Sequence, residues 1–175
     1  MAKQVVKGLN ETLAQLKKFG KEAEKGVDLI AMATANDIGL EAKQKAPKDL
    51  GKLAQSISSP AVKVSDLNYK VVVTSSYGAY VEFGTGAKVD IPPEMQELAS
   101  QVKTRKGSFE EGLQSIKDWC KRKGIDENVA YPIFISILEK GISPQPFLYP
   151  AFVNGRENYL KDLKNYLNGL IKKYE

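Results

Sequence analysis

The chain has no histidine and only one cysteine, Cys120. Without histidine there is no group that titrates unaided near neutral pH, and the commonest metal ligand is missing. A Ser–His or Cys–His hydrolase is thereby excluded, and a zinc site nearly so. One cysteine excludes an internal disulfide framework, and nothing else suggests an oxidising compartment, so cytosolic synthesis fits. No segment approaches the roughly 20 apolar residues of a membrane span. The start, Met1 to Leu9, lacks an apolar run long enough for a signal peptide, so a soluble protein is expected. Strong charge is missing too. The net charge of +5 is spread thinly, with 12 Lys/Arg against 9 Asp/Glu over residues 1–86, 9 against 9 over 87–140, and 5 against 3 over 141–175. A dedicated nucleic-acid binder concentrates its cations on one face. A mild basic excess reads instead as solubility or an acidic partner surface.

What is present suffices for a core. At 175 residues and 42% hydrophobic content, the chain is one domain of ordinary size, or one domain with an insert. Val5, Leu9, Leu13, Leu16 and Phe19 step by threes and fours, which predicts a helix from about Asn10, interrupted at Gly20. A second stripe runs Ala23, Val27, Ile30, Thr34, Ile38, Ala42 and Ala46, mostly small, as suits a helix lying close to a neighbour. Pro47 stops it, because a residue before proline avoids the α region. Residues 47–56 read as polar turn and linker. Alternation at Val62, Val64, Tyr69, Val71 and Val73, with Asp66 to Asn68 between, predicts a β-hairpin over about 61–65 and 69–75 with one buried face. The residues thus give an α+β class.

Residues 77–83 suit a helical turn pointing Tyr77, Tyr80 and Val81 inward, followed by two glycines, Gly84 and Gly86, that permit backbone angles other residues resist. Ser108 with Glu111 forms a capping box and opens a helix with stripe Leu113, Ile116, Trp119 and Cys120, closed by Gly124. Asp126 or Asn128 caps another, with Val129, Ile133, Ile137 and Leu138 apolar and Pro132 fitting only its first turn. These two helices form a hairpin inserted between the aromatic segments. A last helix is expected over about 153–174, with stripe Phe152, Tyr159, Leu163, Tyr166 or Leu167, and Leu170.

The candidate chemistry is sparse. Glu82, flanked by apolar residues, reads as a buried carboxylate taking backbone N–H groups rather than as a catalytic base, for it has no partner acid or base in a matching motif. Gly84 to Lys88 lacks the spacing of a phosphate loop. Lys121, Arg122 and Lys123 follow Trp119 and raise the alternative of a DNA-binding module using the 108–140 hairpin. Cations at a helix C-terminus, however, are what the helix dipole favours. Cys120, on an apolar face with no histidine to activate it, reads as core. No catalytic, cofactor or metal site is expected, so the chain reads as a non-enzyme.

Two segments pack aromatics against Gly or Pro, the composition of a rigid turn that buries a ring. One is Tyr77 to Gly86, Tyr-Gly-Ala-Tyr-Val-Glu-Phe-Gly-Thr-Gly; the other is Gly141 to Ala151, Gly-Ile-Ser-Pro-Gln-Pro-Phe-Leu-Tyr-Pro-Ala. With Ala46 to Ile57, Ala-Pro-Lys-Asp-Leu-Gly-Lys-Leu-Ala-Gln-Ser-Ile, they resemble the signature of the tail-completion, or head–tail joining, family of long-tailed bacteriophages and prophages. Leu50 stands where that family usually has Thr. The resemblance covers roughly residues 5–86 and 141–170. It implies a small antiparallel sheet packed by a long N-terminal and a C-terminal helix, so that 1–86 and 141–175 form the core domain and 87–140 a helical insertion. It implies structural roles for Pro47, Gly51, Leu53, Tyr77, Tyr80, Glu82, Gly84, Thr85, Pro146, Phe147 and Pro150. Lys48, Gly86 and Lys88, in the Gly-, Pro- and Lys-rich stretches beside the motifs, are the candidate interface. The implied protein is a minor tail component without catalysis. It would be made in the host cytoplasm and carried in the virion as a ring of copies between neck and tail proteins, and would be a monomer or weak oligomer when free. No sequence-specific nucleic acid and no membrane is implied.

Overall fold

The computed structural model describes residues 8–75, 77–85, 91–96 and 108–175. They fall into two compact units, residues 1–73 with 147–175, and residues 74–146. Among them the structure is mostly helical, with one two-stranded antiparallel sheet.

The first unit is built on helix α1, Leu9–Lys45, which runs without a break. Gly20 does not interrupt it: a single glycine costs a helix only about 1 kcal/mol, and good helix formers flank it on both sides. The two predicted stripes are therefore one. Helix α1 ends before Pro47, as expected. Gly51, at φ +71°, opens a short helix α2, Lys52–Ser56, where linker was expected; buried Leu53 and Ile57 anchor it. Strands β1, Val62–Ser65, and β2, Asn68–Lys70, pair Val62 with Lys70 and Lys63 with Tyr69, and the register shifts before Ser65 pairs with Asn68. The hairpin is shorter than predicted and lacks a buried face, since Val62 and Val64 are exposed and only Tyr69 is half-buried. It is held to α1 by polar contacts rather than by apolar burial.

The C-terminal helix, Leu148–Tyr174, lies antiparallel along α1. It starts five residues earlier than expected, because Pro150 sits in its first turn, where no backbone N–H is needed. Small residues let the two helices close up. Gly155 faces Ile38 and Thr34, and Gly26 faces the Tyr166 ring so tightly that a methyl group there would overlap it. Further along, the Tyr166 hydroxyl donates to the Glu22 carbonyl at 2.6 Å and Lys173 donates to the Glu22 carboxylate at 2.7 Å, while the Phe19 and Tyr174 rings meet edge to face at 5.4 Å. Phe152, assigned to the buried stripe, is exposed; Ala151 and Gly155 take the inner positions.

The second unit holds helix α3, Gly78–Phe83, and a hairpin of two helices. The first of these, α4, Phe109–Lys123, has the full capping box at Ser108 and Glu111 and closes at Gly124, φ +68°. Asp126 caps a 3-10 turn, Glu127–Val129, which leads into α5, Ala130–Lys140. Phe109 and Phe134 stack edge to face at 5.0 Å, and Phe134 covers Gly112. Cys120 is fully buried. The buried face of α5 is Ala130 and Phe134, one position off the predicted stripe, so Val129 and Leu138 are exposed and Ile133 and Ile137 half-buried. The C-terminal helix of the first unit is α6 hereafter.

Candidate functional site

The second unit joins Tyr77–Thr85 to 141–146. Helix α3 ends at Gly84, whose φ of +68° and ψ of −173° are open only to glycine. A Cβ there would stand 2.5 Å from the Ile142 carbonyl oxygen and 2.9 Å from the Pro144 nitrogen. That close approach lets the two segments zip together. The Thr85 N–H donates to the Ile142 carbonyl at 2.9 Å, the Ile142 N–H to Thr85 Oγ1 at 2.8 Å, and the Gln145 N–H to the Val81 carbonyl at 2.8 Å. Each bond satisfies a group near a helix end or in an irregular segment, where no ladder partner exists.

Glu82 and Phe83 are buried inside this joint's own helix, and Glu82 is the one buried charged side chain among the described residues. Tyr80 and Val81 are half-buried, but Tyr77 is exposed, contrary to its expected inward direction, because it precedes the helix and does not share its inner face. Pro146 is exposed. Phe147, 1% exposed, and Pro150 open α6 and belong to the first unit, as do Pro47, Gly51 and Leu53. Lys48 is exposed; Gly86 and Lys88 lie outside the described residues.

A polar cluster that the sequence did not signal ties the hairpin to α1. Asp28 accepts from the Leu67 N–H at 2.9 Å, from the Tyr69 hydroxyl at 3.0 Å and from Lys63 at 3.4 Å. Leu67 is the non-glycine residue at positive φ, +60°, so the carboxylate fixes an unfavourable turn. Two turns along α1, Asn36 accepts from the Ala61 N–H at 2.8 Å. The Leu67 amide, then Tyr69 and Lys63, hold the Asp28 carboxyl below its ordinary 3.8. Asp66, then Asp28, push the Lys63 ammonium up. Tyr69 is raised first by partial burial, then by Asp28. The only sequence trace of this cluster is that Asp28 and Asn36 are polar and eight residues apart on one helix, which a stripe of apolar residues does not report.

This arrangement positions backbone and encloses rings, and brings no nucleophile to a base. Among the described residues no group of three or more Cys, Asp and Glu could hold a metal ion, and no helix is long and apolar enough to cross a membrane. A surface groove beside α1 is lined by Ala14, Lys17, Lys18, Lys21, Glu22 and Lys25.

Residues 10–84 match the model of the HK97-gp10-like family, described as "Bacteriophage HK97-gp10, putative tail-component". The family resemblance carried by Ala46–Ile57 and Tyr77–Gly86 is thus found independently over that stretch. No curated protein and no solved structure matches the chain.

Proposed function

We propose, with residues 10–84 in a family of phage tail components, that this chain is a structural virion protein that completes the tail or joins it to the head. The observation that supports this most is the joint itself. The two segments that resemble the tail-completion signature are hydrogen-bonded to each other through Val81, Thr85, Ile142 and Gln145, which supports reading them as parts of one motif. The role is assembly without turnover. Several copies form a ring between neck and tail proteins, templated by a preformed surface, with Lys48, Gly86 and Lys88 as the candidate contacts. The core is 1–86 with 141–175, and 87–140 is an insertion. The chain acts in the host cytoplasm during assembly and then in the particle.

The alternative of a DNA-binding hairpin draws no support from α5. That helix exposes Tyr131 and Leu138 and carries one cation, Lys140, at its far end, whereas a recognition helix needs polar and basic groups at its start. The test is to disrupt the reading frame in a phage or prophage that carries it. Unjoined heads and unfinished tails in electron micrographs are expected. Particles of normal form would overturn the reading.

A further inference from the structure

Helix α1 carries a row of cations that nothing among the described residues neutralises. Lys17, Lys21 and Lys25 are four residues apart, so they form one ridge climbing about 12 Å along the helix. Lys18 stands beside them, about a quarter turn round. All four are exposed, and none makes an ion pair among the described residues, whereas Lys45, Lys63, Lys117 and Lys173 each do. Two grooves flank the ridge, one floored by the short side chain of Ala14, the other reaching the hairpin turn at Leu67. Most acids lining them are engaged elsewhere. Glu22 is held by Lys173 at 2.7 Å, Asp66 by Lys63 at 3.0 Å, and Asp28 by the Leu67 amide and the Tyr69 hydroxyl. That leaves Glu24 to face four lysines. Like charges at i, i+4 weaken a helix. The row therefore works against the stability of the free chain, the mark of a surface selected for something other than folding.

We propose that this row is the docking surface for an acidic segment of another protein of the particle, whose carboxylates stand opposite Lys17, Lys21 and Lys25. The inference rests on the reading of the chain as an assembled tail component, and gives that reading a surface and a partner chemistry. Charge complementarity sets the class of partner. A DNA duplex is the poorer fit. Its charge is continuous, about one per 1.7 Å of axis, so it cannot run along the ridge without also passing Glu24, and a few lysines fall short of the contacts that hold a duplex. A protein sets its charges one at a time and can place a neutral or basic group opposite Glu24. A second copy is the poorer fit too, because no helix of this chain carries three carboxylates at matching four-residue steps. On α6, Glu157 and Asp162 are interleaved with Arg156, Lys161 and Lys164, and on α4, Glu111 is held in the capping box and Asp118 by Gln114. The contact is exposed and ionic, so it adds speed and register to joining more than affinity, and it weakens with salt.

The experiment uses the full chain and three fluorescent probes at low salt. One is a helical Ala/Gln peptide with three glutamates four residues apart. The second is the same composition with the glutamates spread round the helix, and the third is a short DNA duplex. Anisotropy should show the first peptide binding best. The variant K17Q/K21Q/K25Q should bind it at least about tenfold more weakly, three exposed pairs being lost together. K161Q/K164Q/K172Q removes the same charge from exposed positions on α6 and should change binding by less than about twofold. The melting temperature of K17Q/K21Q/K25Q should hold or rise, since like charges are removed. Equal loss in the two variants, equal binding of the two peptides, tighter row-dependent binding of the duplex, or a fall in the melting temperature would each overturn the proposal. In a phage that carries the gene, K17E/K21E/K25E should block joining, and suppressors should exchange Asp or Glu for Lys in another virion protein. Normal joining by the charge-reversed chain, in a phage that needs the intact one, would also overturn it. Disruption of the whole gene tests the tail reading separately, so either can fail alone.

Discussion

Gly84, Phe147 and Asp28 show three different ways in which one residue holds a fold. Gly84 is required by geometry, since its backbone angles are closed to residues with a Cβ and the space is filled by backbone atoms that cannot swing away. Gly84→Ala should lose about 1–3 kcal/mol to backbone strain alone, and urea unfolding should register at least that. Phe147 is required by burial. At 1% exposed, its truncation in Phe147→Ala should cost about 3–5 kcal/mol. A melting temperature close to the wild type's would show the ring to be dispensable. Asp28 is required by charge, so its contribution depends on pH. Its folded pKa is depressed, so its stabilisation is complete above the ordinary 3.8 and is lost as pH falls through the folded value. Wild type should therefore be more stable than Asp28→Asn at pH 7, and the gap should close in acid. Exchange of the Leu67 amide is the local reporter, and a gap that persists at low pH would refute the ionic origin.

At the scale of the element, glycine tells α1's two halves apart. Gly20 has open space around it, so Gly20→Ala removes only the conformational freedom of the unfolded chain and should stabilise by about 0.5–1 kcal/mol. Gly26 lies under the Tyr166 ring, so Gly26→Ala must displace that ring and should cost about 1–3 kcal/mol. Calorimetry of the pair should move in opposite directions. The sequence made the ends of these elements more legible than their faces. The Ser108–Glu111 capping box, Gly124 and Pro47 act within a few residues of themselves; the first opens a helix and the other two close one where expected. Gly20 was misread because one glycine cannot outweigh strong helix formers on both sides. The face of α5 was misplaced because most of AYPIFISILEK is apolar, so periodicity alone does not choose between Phe134 and its neighbours. Asp28 was invisible because its value depends on a hairpin turn 39 residues away.

At the scale of the molecule, resemblance supplied the pieces of the candidate site but not their pairing. Thr85 and Ile142 are 57 residues apart, and no local pattern announces that they touch. Their contact bears directly on the proposed insertion at 87–140. Because the Thr85 N–H and the Ile142 carbonyl are 2.9 Å apart, the two ends of the intervening stretch already stand side by side. A short Gly/Ser linker has almost no distance to span, and the entropy of closing a loop changes by only about 0.6 kcal/mol per doubling of its length. Replacing 87–140 with such a linker should therefore leave the first unit folded, since its elements, α1, α2, the hairpin and α6, lie outside the excised stretch. Within the second unit the excision removes the helical hairpin, while Phe83 and Glu82 of α3 are buried in the intact chain. The shortened protein should thus keep a cooperative melt and the near-UV signal of Tyr69, Tyr166 and Tyr174, while exchange protection at Val81 to Thr85 falls. Loss of the cooperative melt would show that 87–140 belongs to the main core. Unchanged protection at Val81 to Thr85 would show that the joint with Ile142 and Gln145 stands without the helical hairpin.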